Sequence, residues 1–198
     1  MRLITIAAAC LLVTTSAFAQ QSARLRGTIE TLDGEASAVL KTTEGQSVTL
    51  KLAPNLSVAV VVKASLADIK PGAFVGAGAR PQADGSLKAI QVLIFPEAQR
   101  GTGEGHRDWS ALPQTTMTNA TVADTVTSVD GQGLMLKYKD GEKKLVIGPD
   151  ANIITTKPGA RSDLMVGTEL VATATRNEDG SYTAARVTVG KDGVAPPL

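Results

Sequence analysis

The sequence predicts an all-β protein of two tandem small barrels, each of five or six short strands, made by an internal duplication and joined by a long linker. Three observations carry this reading. Short segments alternate polar and apolar side chains, turn pairs containing glycine punctuate them, and one ordered series of motifs occurs twice.

The first segment, residues 1–19, reads as a secretory signal peptide. Arg2 precedes an uncharged apolar run from Leu3 to Val13, and Ala17-Phe18-Ala19 supplies the small-x-small cleavage site before Gln20. The run is too short to span a membrane, and no other long apolar run follows. The only cysteine, Cys10, lies inside this segment. It interrupts the apolar run rather than following it, which argues against lipoprotein processing. A chain beginning at Gln20 would have no thiol chemistry and no disulfides. Loss of Arg2 also takes the formal charge from +1 to zero, so electrostatics give no reason to bind nucleic acid or anionic membranes.

The first repeat, residues 24–95, opens with Thr28-Ile29-Glu30-Thr31-Leu32 and an Asp33-Gly34 turn. Ala38 to Thr42 and Ser47 to Leu52 form a hairpin around Glu44-Gly45, with Val48, Leu50 and Leu52 on one face. Leu56 to Val62 is rich in β-branched residues and reads as a third strand. Leu66 to Gly72 allows one helical turn at most. Val75 to Arg80 and Leu87 to Ile94 close the unit around Asp84-Gly85.

The second repeat, residues 120–190, returns these features 95–97 residues later. Asp124 to Gly131 matches Gly27 to Gly34, Asp140-Gly141 matches Glu44-Gly45, and Asp163 to Gly167 matches Asp68 to Gly72. Asp179-Gly180-Ser181 matches Asp84-Gly85-Ser86, and Ala184 to Val187 matches Ala89 to Val92. Residues 191–198 form a tail. Short strands with one helical turn between the third and fourth suit a closed OB-like barrel, which has no exposed edges. So small a domain is marginal alone, so the copies should pack together or be strapped by the linker. One two-sheet sandwich built from both copies is the alternative.

The motifs at 27–30, 66–75 and 84–92, with their echoes at 163–167 and 179–187, resemble a bacterial secreted family of unknown function with tandem OB-like barrels. The resemblance implies the fold and an envelope location. It implies no activity and no catalytic residues.

The linker, residues 96–119, holds the protein's only histidine and only tryptophan. One reading makes it a binding strap, with Trp109 as anchor and Arg100, His106 and Arg107 facing an anion. The other makes it a tether whose Trp109 docks between the barrels. Glu104, His106 and Asp108 alternate, and could offer three ligands to a divalent metal, although no fourth ligand is identified.

Gly101 to Gly105 fits neither phosphate-loop spacing, so it reads as flexible chain. Catalysis through His106 would lack an oriented partner in the linker. The Asp-Gly pairs lack the calcium-loop pattern. The sequons at Asn55 and Asn119 matter only in a eukaryotic secretory pathway. The lysines at 137, 139, 143 and 144 read as a solvated face protecting a hairpin edge.

Together these features point to a non-enzymatic periplasmic or secreted protein that binds an envelope protein or a small ligand. No cofactor and no nucleic acid is expected. The alternative is a divalent-metal-handling protein using Glu104, His106 and Asp108.

Overall fold

The computed structural model describes residues 22–109, 111–128 and 131–197. The expected signal peptide, with Cys10, lies outside them, as does Asp130 of the expected Asp130-Gly131 turn. The described chain is all-β, and no helix in it is long and apolar enough to cross a membrane.

Twelve strands are present among these residues. β1 (Ser22–Asp33), β2 (Ser37–Thr42) and β3 (Ser47–Lys63) form an antiparallel meander. β3 runs for 17 residues because Val58 to Val62 prolong its β-branched pattern beyond a break at Pro54-Asn55. A 3-10 turn at Leu66–Asp68 leads to the hairpin of β4 (Phe74–Pro81) and β5 (Leu87–Ile94). β6 (Gly105–Asp108) precedes a second meander of β7 (Thr116–Ser128), β8 (Gly131–Tyr138) and β9 (Gly141–Ile147). β10 (Asn152–Pro158), a 3-10 turn at Arg161–Asp163, and the hairpin of β11 (Glu169–Arg176) and β12 (Tyr182–Gly190) complete the order.

The strands do not close within each half of the sequence. β1 pairs antiparallel with β11, and β3 pairs parallel with β12, so β1-β2-β3-β12-β11 is a closed five-stranded barrel. A second ring, β7-β8-β9-β5-β4, has the same order, with β5 parallel to β9 and β4 antiparallel to β7. The cores follow the rings. Ile29, Leu40 and Leu50 pack with Leu170, Val187 and Val189, while Val75 and Val92 pack with Leu134, Leu136 and Leu145.

The ranges 24–95 and 120–190 therefore do not delimit the two cores, and the structure corrects that expectation. The physical reason is the length of β3. Its C-terminal half pairs antiparallel with β10, Ala59 to Lys63 against Pro158 to Ile154, which carries the chain out of the first ring. β10 also runs parallel to β5. The hairpin after each crossing is thus delivered to the other meander.

Local hydrogen bonds recur at matched places. Asp68 Oδ2 accepts from Ser65 N at 2.7 Å, and Asp163 Oδ2 accepts from Ala160 N at 2.9 Å. Asp84 Oδ1 accepts from Ser86 N at 2.9 Å, and Asp179 Oδ1 from Ser181 N at 3.0 Å. These Asx-type turns fix the tight connections and hold both carboxyls below their ordinary pKa, chiefly through side-chain donors: Ser86 for Asp84, and Lys51 then Ser181 for Asp179.

Residues 96–119 are not a structureless tether. β6 pairs with the first residues of β7, from Gly105↔Asn119 to Asp108↔Thr116, and Thr116 to Asn119 already belong to the second ring. Thr102 O accepts from Asn119 Nδ2 at 2.9 Å, and Gly103 O from Arg107 Nη1 at 2.9 Å. The expected flexibility of Gly101 to Gly105 is replaced by turns that these side chains hold.

Candidate functional site

β4 carries Gly76 and Gly78 on the face opposite its buried alanines, Ala77 and Ala79. Each glycine makes room for an aromatic ring. A Cβ on Gly76 would lie 3.0 Å from Phe95 Cε2, and one on Gly78 would lie 2.3 Å from Trp109 Cζ3. Glycine inside a strand marks such a close approach. The matched positions on β11 are Val171 and Thr173, so the glycines belong to the strapped ring alone.

Trp109 is 9% exposed. Its backbone N–H donates to Thr115 O at 2.9 Å, closing the loop that carries Leu112, Pro113 and Gln114. Thr115 Oγ1 donates within this loop to Leu112 O. Gln114 adopts φ 55°, a left-handed conformation uncommon for a residue with a Cβ.

Beside Trp109 lies an open groove of about 690 Å³. Pro81, Leu112 and Pro113 give it an apolar wall, and Arg80, Asp108 and Thr116 give it polar corners. Thr116 is 9% exposed, and its Oγ1 is buried with no hydrogen-bond partner. Such an orphaned hydroxyl costs free energy unless something satisfies it. Asn119 Oδ1, beneath Gly76, is the second orphan among the described residues.

His106 lies further along β6. Its Nδ1 shares a 2.8 Å hydrogen bond with Thr118 Oγ1, and its ring stacks on Tyr138 with centroids 6.3 Å apart. Burial, then the positive charge of Lys143, push its pKa below the ordinary value, against a smaller opposing pull from Asp108. A hydroxyl beside an imidazole invites comparison with a nucleophile and its base. Thr118 is fully buried, however, so no substrate carbonyl can reach its oxygen.

The residues expected to act together are dispersed. Arg100 pairs with Glu97 and donates to Gly72 O at 2.9 Å. Arg107 is engaged by Gly103 O, and His106 by Thr118. Only Trp109 of that set reaches the groove. Glu104 Oε1 accepts from Lys139 N at 3.1 Å, whereas His106 and Asp108 share one face of β6. Among the described residues no group of three His, Cys, Asp or Glu side chains could hold a metal ion.

Arg80, Gln114 and Thr116 have no signature in the sequence. The Gly76-x-Gly78 pair, absent at the matched place in the other half, was the legible sign that something crosses β4. A second cavity, about 550 Å³, lies between the Ser162–Glu169 turn and the Lys191–Ala195 tail. Its Lys191 is already paired with Asp163 at 3.0 Å. No family model, curated protein or solved structure matches the chain.

Proposed function

We propose that this is a non-catalytic, exported binding protein of the bacterial envelope, built by duplication of one OB-like unit whose two copies exchange their last hairpins. The ligand site is the groove over Trp109. The unpaired guanidinium of Arg80 carries this reading, because an exposed cation with no ion pair among the described residues stands in an open groove lined by Trp109, Pro81, Leu112 and Pro113.

The duplication has its own support. β3 and β10 pair antiparallel about Val61 and Thr156, which stand 95 residues apart, the spacing of the sequence repeat. An antiparallel pair between matched residues is what a local twofold axis produces. The strand order, with a parallel pairing closing each ring, supports the OB-like reading. The leader and the family resemblance support export. The engagement of His106 by a buried threonine supports a structural role for it.

The single tryptophan reports on the groove directly. On titration with short peptides, saccharides and organic acids, one class should shift Trp109 emission and raise the melting temperature. Arg80→Ala, an exposed change, should weaken both responses about tenfold. A chain indifferent to every class contradicts the reading.

A further inference from the structure

Resting on that reading, we propose that the groove recognises an α-carboxylate with a neighbouring N–H, the chemistry of a peptide C-terminus or a free amino acid. The chemistry follows from two corners. Arg80 stands exposed at the end of β4 and makes no ion pair among the described residues, although Asp108 lines the same groove. A free guanidinium offers a planar fork of donors that matches a carboxylate in a bidentate way.

Asp108 supplies the opposite polarity, since an ionised carboxylate can only accept hydrogen bonds. A phosphorylated ligand would set its second negative charge against Asp108. A neutral sugar would leave the Arg80 charge uncompensated. A group with one negative end and an adjacent N–H satisfies both residues.

The apolar wall of Pro81, Leu112 and Pro113 then faces the ligand's side chain. The 690 Å³ volume lies within the range that holds small ligands.

The test uses the intact chain beginning at Gln20, with Trp109 emission and thermal shift as readouts. The probes are Ala-Ala-Leu as free acid, the same tripeptide C-amidated, and free leucine. The free acid should bind, and amidation should weaken it about tenfold or more, since a charged hydrogen-bonded contact is lost. Arg80→Ala should cause a similar loss, partly restored by Arg80→Lys.

Leucine binding as tightly as the tripeptide would make the source a free amino acid, and tighter tripeptide binding a peptide end. Equal affinity for acid and amide would overturn the carboxylate inference while the groove remains a binding site. A response to saccharides alone would do the same, and silence toward every probe class would overturn both.

Discussion

Ending the chain at Gly159 should leave the second ring folded and unfold the first. The truncated chain keeps β4, β5 and β7 to β10, the complete wall of the core around Leu134, Leu136 and Leu145. It removes β11 and β12, and with them Leu164, Leu170, Val187 and Val189 from the core around Ile29 and Leu40. Each such side chain contributes about 1.5–3 kcal/mol by burial, so their joint loss exceeds what a marginally stable small domain can bear. Hydrogen exchange should find the amides of β1 and β2 unprotected while those of β8 stay protected, with Trp109 emission unchanged. Barrels closed within each half would give the reverse: 24–95 would survive, and the second barrel would lose its last hairpin.

Gly78→Val, on β4 against the Trp109 ring, should be strongly destabilising. The new side chain would occupy the space of the Trp109 ring, whose atoms lie 2.3–2.9 Å from an ideal Cβ. A rigid indole cannot yield as a flexible chain end would, so the ring leaves its seat. Exposing a buried tryptophan is of the order of Trp→Ala, about 3–5 kcal/mol. Denaturation followed by circular dichroism should show a loss near that size. In a Trp109→Ala background the same substitution should cost far less, because the obstructing ring is already gone. Thr173→Val, at the matched and exposed place on β11, should stay within about 0.5 kcal/mol. Additive losses at 78 and 109 would contradict the strap.

Much of the fold was legible. Alternation along Thr28 to Leu32 and Ser47 to Leu52 marks strands with one buried face, and Asp84-Gly85 marks a turn that is observed with Gly85 at φ 81°. Which core each strand joins was not legible. The alternation of β4 says that Val75, Ala77 and Ala79 are buried, but it says nothing about whether β1 or β7 lies beside them. Because β1 and β7 alternate in the same way, either partner satisfies it. The choice rests on the stretch from Val58 to Lys63, which continues straight into pairing with β10.

The site was legible only in outline. The lone tryptophan lines the groove, whereas Arg100, His106 and Arg107 are spent on holding the strap. Thr116 is unremarkable in the sequence because an orphaned hydroxyl is a property of three-dimensional surroundings. The glycine cluster at 101–105 suggested mobility, since composition does not register the side chains that capture its carbonyls.

The exchange of hairpins is tested most directly by cysteine pairs in the intact chain, which has no cysteine after residue 19. Thr28 and Glu169 are register partners on β1 and β11, within reach of a disulfide. Barrels closed within each half would instead set Thr121 against Glu169, because Thr121 faces Phe74 and Glu169 stands 95 residues after Phe74. Under mild oxidation, Thr28→Cys/Glu169→Cys should form an intramolecular disulfide in the monomer, and Thr121→Cys/Glu169→Cys should keep both thiols free. The opposite pattern would show that each half closes its own barrel.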